Sequence, residues 1–140
     1  MMIEIKSVSL DYGVKDLDLT IKKGEFLLLC GRSGCGKTTV TRLINGLIPE
    51  FYPAEMTGDI LVDGERVRDM QMYRIAERVG SVFQNPRTQF FNVDTDSEIA
   101  FGIENEARPP EELRARVEQT GRELQIEKLR GRNIFELSGG

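Results

Sequence analysis

Apolar and polar side chains alternate along two early stretches of the chain, Ile3–Leu10 and Leu17–Ile21. A period of two residues is typical of half-buried β-strands, so both stretches are predicted to be strands. A further strand is expected over residues 58–62, and the Asp63-Gly64 pair that follows it predicts a tight turn.

The apolar run at residues 26–30 and the largely apolar stretch at residues 79–83 are predicted to be further short strands. Between these runs, apolar residues recur at the i, i+3, i+4, i+7 spacing of an amphipathic helix, formed by Val40, Leu43, Ile44 and Leu47. Strands that alternate with a helix in this way indicate an α/β fold.

The last third of the chain has a helical pattern. A short helix is expected over residues 96–102, because acidic residues at its start favour a helix N-terminus. Pro109-Pro110 predicts the start of a longer helix. The apolar face of that helix is expected to contain Leu113, Val117 and Leu124, and its solvated face Glu111, Glu112, Arg114, Arg116 and Glu118.

A glycine-rich loop lies between the apolar run 26–30 and the first predicted helix. It fits the phosphate-binding pattern Gly-x4-Gly-Lys-[Ser/Thr], in which backbone N–H groups point inward at phosphate oxygens. Lys37 adds a positive charge, the Thr38 hydroxyl can complete a magnesium shell, and the helix N-terminus favours an anion. The loop therefore predicts a nucleoside triphosphate site formed by Gly31, Arg32, Ser33, Gly34, Cys35, Gly36, Lys37, Thr38 and Thr39.

Composition excludes several other classes of function. The net charge is −4, and the 19 basic residues are spread along the chain, so no basic face for nucleic acid is expected. No apolar run approaches the roughly 20 residues that a membrane span needs, and the N-terminus lacks a signal-peptide pattern. These features are typical of a cytosolic protein.

The two cysteines have different expected roles. With no histidine and no Cys-x-x-Cys pair in the chain, a zinc site is improbable. Cys30 is expected to be a small buried apolar residue at a strand end. Cys35 lies inside the glycine loop, near Lys37 and a helix N-terminus, where a thiol is predicted to be reactive.

The last four residues, Leu137, Ser138, Gly139 and Gly140, make the loop more informative. With Tyr12, the loop 31–38 and Gln84 before them, the chain resembles the ATP-binding-cassette (ABC) family over all 140 residues. The resemblance implies an α/β P-loop NTPase core with N-terminal antiparallel strands and a helical subdomain. It divides the chain into a nucleotide-binding core (1–84), a Q-loop and helical subdomain (85–136) and the start of the signature motif (137–140).

The resemblance also implies a role for each landmark. Tyr12 would stack on adenine, and Gln84 would reach the magnesium ion and the attacking water, with Thr38 as the other metal-binding residue. Ser138, Gly139 and Gly140, with Leu137, would contact the ATP held by a second subunit, which implies a head-to-tail dimer. The alternatives are an edge-strand or core tyrosine at Tyr12 and a polar strand-end residue at Gln84.

A narrower resemblance comes from residues 83–91, Phe-Gln-Asn-Pro-Arg-Thr-Gln-Phe-Phe, continued by residues 96–102. They are similar to the ATPase subunits of energy-coupling-factor transporters, importers of vitamins or of metal ions such as cobalt and nickel. This resemblance implies ATP and Mg²⁺ as cofactors, a transmembrane partner, and a location at the cytoplasmic face of the cell membrane. Gln89 matches a second glutamine of that family, and Phe90 and Phe91 would lie near the partner surface or be buried in the helical insert.

The sequence supplies residues for nucleotide binding but not a complete set for hydrolysis. No apolar run of the chain ends in an Asp-Glu pair, so the general base has no assigned residue. The chain is expected to be the N-terminal part of a longer ATPase, with unpaired backbone along 26–30 and marginal stability on its own. Two alternatives stay open, a nucleotide-binding module without hydrolysis and a non-transport ATPase of the same superfamily. GTPases are disfavoured because no Asn-Lys-x-Asp stretch occurs.

Overall fold

A computed structural model describes residues 1–104 and 108–137. The chain folds as two compact units, Met1–Ser81 and Val82–Gly140. The first unit holds the described strands β1–β4 and three helices, and the second holds two helices and short 3-10 turns. The strands are Ile3–Leu10 (β1), Leu17–Ile21 (β2), Met56–Val62 (β3) and Glu65–Arg66 (β4), and the helices are Lys37–Ile44 (α1), Leu47–Glu50 (α2), Met72–Arg78 (α3), Thr95–Glu104 (α4) and Pro110–Glu123 (α5).

The four strands form one antiparallel sheet in the order β2-β1-β3-β4. The predicted bounds of β1 and β2 are confirmed, and these two strands pair with each other. The predicted turn after β3 is also confirmed, since Asp63 and Gly64 have positive φ angles of 49° and 82°. Two positive φ values in succession are what a type I′ hairpin turn requires.

A bulge in the middle of β1 determines which of its side chains are buried. The pairing of β1 with both neighbours shifts register near Ser7, which has a φ of 48°. Ile3 and Ile5 are buried before the bulge, and Val8 and Leu10 are buried after it. The extra residue keeps both halves of the strand facing the same core. That core is completed by Val14, Val40, Leu43, Ile48, Ile60, Val62, Val67 and Ile75.

The helix after the glycine loop is shorter than its apolar stripe suggests. Helix α1 ends at Ile44, and Gly46 follows with a φ of 75°, a conformation that suits glycine. Leu47 therefore lies in the separate short helix α2. Val40 and Leu43 are nevertheless buried, as the stripe predicts.

The strands predicted at residues 26–30 and 79–83 are wrong for the described structure. Neither run belongs to the sheet, and Phe26 and Val82 are both 90% exposed. A strand exists only where a neighbour accepts and donates its backbone hydrogen bonds, and the described residues supply no such neighbour for either run. The prediction of a buried Cys30 is wrong for the same reason, because that cysteine is exposed.

The second unit confirms two helices with adjusted bounds. Helix α4 begins at Thr95 and α5 begins at Pro110, immediately after Pro109. Val117 is buried on the apolar face of α5, but Leu124 is 63% exposed, so its predicted burial is wrong. Leu124 is the C-cap residue, where the helical face ends. Among the described helices, none is long and apolar enough to cross a membrane.

Candidate functional site

Three glycines of the loop between residues 31 and 36 have positive φ angles. Gly34 and Gly36 have φ angles of 82° and 95°, and Gly31 has a φ of 156°. The N–H of Cys35 donates to Arg32 O at 3.3 Å, which closes a turn inside the loop. Left-handed residues let successive N–H groups face one concavity, the arrangement that binds anions.

The side chain of Lys37 folds back over the loop. Its Nζ donates to Gly31 O at 2.7 Å and to Arg32 O at 2.8 Å, and lies 3.5 Å from Cys35 Sγ. Lys37 is also the first residue of α1. The ammonium group and the positive end of the helix therefore act on the same small region.

A side chain at Gly31 would clash inside the loop, whereas at Gly36 the φ of 95°, rather than a lack of space, favours glycine. A Cβ atom built on Gly31 would lie 2.5 Å from Cys35 Sγ, closer than real Cβ contacts allow. A Cβ atom on Gly36 would lie 3.4 Å from Gly13 O and 3.6 Å from Val14 Cγ2. The loop is thus packed internally by the thiol and externally by the connection between β1 and β2.

That connection contains Tyr12, the candidate adenine-stacking residue. Tyr12 is 44% exposed, and its carbonyl accepts from the N–H of Val14 at 2.9 Å. Val14 itself is buried in the core, so it fixes the connection beside Gly36. The structure therefore brings the Tyr12 turn and the glycine loop together, although they are about twenty residues apart in sequence.

The two threonines lie in the first turn of α1. Thr38 is exposed, and its carbonyl accepts from Thr41 Oγ1 at 2.9 Å. Thr39 is half-buried. The exposed Thr38 hydroxyl thus stands at the same helix start as the Lys37 ammonium.

Gln84 lies in the second unit, in an exposed segment that precedes the 3-10 turn Pro86–Thr88. Its neighbour Phe83 donates its N–H to Gln89 Oε1 at 2.9 Å. Gln89 therefore holds the segment through a side-chain bond, which gives this second glutamine a local structural role.

Phe90 and Phe91 follow the turn. Phe91 is 76% exposed and stacks on Phe101 of α4, with ring centroids 4.8 Å apart. Burial of Phe91 within the helical insert, one of the two predicted alternatives, is therefore wrong for the described unit. The stacked and exposed ring instead forms part of an apolar surface.

Glu98 organises this surface and was missed by sequence reasoning. Its Oε2 accepts from the N–H of Phe91 at 3.1 Å, and from the N–H and side-chain amide of Asn92 at 2.8 and 3.2 Å. A glutamate in the first turn of a helix is a visible signal for capping, but the sequence does not show which loop it caps.

The start of α4 also contains the one aspartate of the described residues whose pKa is clearly shifted. The N–H and hydroxyl of Ser97 donate to the Asp94 carboxylate at 2.9 and 2.7 Å. The backbone hydrogen bond from Ser97 is the largest cause that lowers the pKa of Asp94, followed by the side-chain bond. Asp94 is therefore the N-terminal cap of α4.

Leu137 is half-buried and donates its N–H to Ile134 O at 3.2 Å. Ser138, Gly139 and Gly140, which complete the predicted signature, lie outside the described residues. The structure thus describes the approach to the signature through the 3-10 turn Ile134–Glu136.

Similarity to known proteins identifies the family of the chain. Residues 14–140 match the family model described as ABC transporter. The chain belongs to the ABC transporter family. The predicted fold class is confirmed, since the ABC ATPase domain is a P-loop NTPase with an α/β fold.

Several curated ABC relatives resemble the chain over nearly all its length. An ABC transporter ATP-binding protein of Treponema denticola is 53% identical over 99% of this chain, which covers 30% of that protein. An ABC transporter ATP-binding protein of Methanosarcina mazei is 42% identical over 91% of the chain and 22% of its own length. The energy-coupling factor transporter ATP-binding protein of Ligilactobacillus salivarius is 39% identical over 99% of the chain and 50% of its own length.

The chain thus spans half or less of each of these ABC relatives. Together the comparisons support an ATP-binding protein related to transport.

Proposed function

We propose that this chain is the ATP-binding part of an importer of the energy-coupling-factor type, coupling ATP binding and hydrolysis to uptake of a vitamin or a transition-metal ion. The observation that carries the proposal is the position of the Lys37 ammonium, 2.7 Å from Gly31 O inside a glycine loop at the start of α1. From that position the ammonium group would reach phosphate oxygens bound by the N–H groups of the loop.

The residues present fit ATP and Mg²⁺. Gly31, Gly34 and Gly36 add no side chain at three positions of the loop, so the backbone there can approach an anion. Lys37 would exchange its bonds to loop carbonyls for bonds to the outer phosphates, and Tyr12 would stack on the base. The Thr38 hydroxyl would hold Mg²⁺, which supplies positive charge to the phosphates when bound. The family resemblance implies a metal-binding role for Gln84 as well.

The importer assignment is supported by the second unit. Phe91 presents an exposed aromatic ring that Glu98 and Phe101 hold in place. Aromatic side chains are enriched in protein–protein interfaces. One relative carries the energy-coupling factor name, which agrees with the resemblance of residues 83–91. The partner is a transmembrane subunit, which places this chain at the cytoplasmic face of the membrane.

Dimerisation completes the proposed site. Leu137, Ser138, Gly139 and Gly140 would act on the ATP bound by a second ATPase subunit, identical or related. A serine and glycine amides offer the same phosphate-binding chemistry as the loop 31–39.

Nucleotide binding and phosphate release, measured together, separate the proposal from a binding module without hydrolysis. The full-length protein that contains this chain is expected to bind ATP and release phosphate, and Lys37→Ala is expected to abolish the release. Tight binding with no release would favour the module without hydrolysis. If the full-length protein neither binds ATP nor releases phosphate, that result would contradict both the importer proposal and the binding module without hydrolysis.

Replacing Phe91 with serine tests the importer assignment. The variant is expected to bind ATP normally and to lose co-purification with the membrane subunit. Tyr73→Ser removes an aromatic ring of similar exposure from the first unit and is the matched control. If both variants retain the membrane subunit, Phe91 is not part of the docking surface.

A further inference from the structure

The segment that leads to Leu137 lies along the start of α4. The N–H of Ile134 donates to Val93 O at 2.8 Å, and the N–H of Thr95 donates to Arg132 O at 3.1 Å. Asp94 and Asn133 form an antiparallel bridge between these two bonds. Residues 129–134 are thus attached by backbone bonds to the first turn of a helix more than thirty residues earlier.

Side chains strengthen the attachment on both sides. Thr95 is buried, and its Oγ1 donates to Leu129 O at 2.8 Å. The Asp96 carboxylate accepts from Arg130 Nε at 3.2 Å and from an Arg130 guanidinium nitrogen at 3.0 Å, and also from the N–H of Gly131 at 3.3 Å. A two-pronged bond between guanidinium and carboxylate fixes orientation as well as distance.

The aliphatic part of the Arg130 side chain, its stem, also contacts helix α5. A Cβ atom built on Gly121 would lie 3.2 Å from Arg130 Cδ, so the glycine leaves room for the stem to pass. Gly121 lies inside α5, where glycine weakens a helix relative to alanine. Arg130 thereby links α5 to the carboxylate of Asp96 on α4.

The same first turn of α4 holds the exposed aromatic loop at its other side. Glu98 accepts the N–H groups of Phe91 and Asn92, and lies two residues after Asp96. The first turn of α4 therefore binds residues 91 and 92, in the loop proposed to meet the membrane partner. It also binds residues 130 and 131, in the segment that leads to the signature.

We propose that Asp96 and Arg130 are positioning residues that transmit displacement of the Phe91 loop to the segment leading into Leu137, and so set the signature for hydrolysis. This inference rests on the proposed function. Both are assigned as positioning residues because their side chains bond to each other and, for Asp96, to the N–H of Gly131.

The test uses the full-length ATPase in complex with its membrane partner. Arg130→Met keeps the stem over Gly121 and removes the guanidinium. Its kcat is expected to fall about fivefold with no change in nucleotide affinity, since the loop 31–39 lies in the other unit. Arg130→Lys, which keeps the charge without the two-pronged bond, is expected to recover part of kcat.

Arg78→Met is the matched control, because it breaks the 2.9 Å pair between Arg78 and Glu65 in the first unit. Its kcat is expected to equal that of the wild type. A kcat for Arg130→Met equal to that of Arg78→Met would overturn the positioning role. A parallel loss of nucleotide affinity and kcat in Arg130→Met would also overturn it, because that result indicates general unfolding.

Hydrogen exchange supplies a readout that does not depend on hydrolysis. The amides of Ile134 and Thr95 are expected to exchange about threefold faster in Arg130→Met and at the wild-type rate in Arg78→Met. Unchanged exchange would refute the attachment itself. Faster exchange in Arg130→Met with a wild-type kcat would refute the positioning role. A wild-type protein that binds no ATP would refute the proposed function, and this inference with it.

Gly121→Leu gives an independent check. Leucine is a better helix former than glycine but occupies the space of the Arg130 stem. The variant is expected to reproduce the lower kcat of Arg130→Met although both charges are retained. Wild-type kcat in a folded Gly121→Leu variant would contradict the inference.

Discussion

The Sγ atom of Cys35 occupies the space beside Gly31 where any side chain on that residue would lie, 2.5 Å from the expected Cβ position. The same sulfur is 3.5 Å from the Lys37 ammonium. The thiol is therefore a packing element of the phosphate-binding loop, and a change in its size is a change in the shape of the loop.

Alkylation of Cys35 is expected to block nucleotide binding, and bound ATP is expected to protect the thiol. A group added to Sγ would enlarge a side chain that lies beside Gly31 and 3.5 Å from the Lys37 ammonium, and would therefore change the shape of the loop. Labelling rates followed by mass spectrometry with and without ATP check this. Cys35→Ser leaves the exposed Cys30 as the remaining thiol and is the control, for which ATP should make no difference. Equal labelling rates of Cys35 with and without ATP would contradict this prediction.

Gly58→Ala is expected to destabilise the first unit by about 2 to 4 kcal/mol. Gly58 has a φ of 80°, and a Cβ atom there would overlap Lys6 O and Ser7 O at the bulge of β1. Gly64→Ala is the matched control, because Gly64 has a φ of 82° and nothing within 4 Å of its Cβ position. Its cost should be only the backbone strain of about 1 to 2 kcal/mol. Equal losses in chemical denaturation would show that the bulge can move aside.

The cap at Asp94 makes the stability of α4 depend on pH. Because hydrogen bonds from Ser97 lower the pKa of Asp94 in the folded state, the stabilisation is present above the ordinary carboxylate range and is lost as pH falls below about 4. Thermal melts between about pH 3 and pH 7 should show a steeper acid loss for the wild type than for Asp94→Asn. Identical pH profiles for the two proteins would contradict this role.

Local pattern was sufficient for the strands β1 and β2, whose bounds follow from alternation and which pair with each other at short sequence separation. It was insufficient for residues 26–30 and 79–83. An apolar run shows that a segment prefers burial, but pairing decides whether it becomes a strand, and pairing is a property of distant segments. Helices α4 and α5 were predictable because their hydrogen bonds are internal and their starting residues are visible.

The candidate site likewise has features that the local sequence predicts and features that depend on packing. The motif predicted a phosphate-binding loop at residues 31–39, because the order and spacing of its glycines and Lys37 are characteristic of such loops. The contact of Cys35 with Gly31 and the pair between Asp96 and Arg130 depend on how the chain packs, the latter across 34 residues of sequence. Such contacts leave no periodic signal.

Calorimetric titration of the protein with ATP in the presence of Mg²⁺ tests the central claim most directly. Saturable binding at one site per chain is expected, weakened about tenfold to a hundredfold by Lys37→Ala because charged hydrogen bonds to phosphate are lost. Lys128→Ala, which removes one positive charge from the second unit, should bind like the wild type. No binding by the wild type, or equal binding by Lys37→Ala, would contradict a nucleotide site in the loop 31–39.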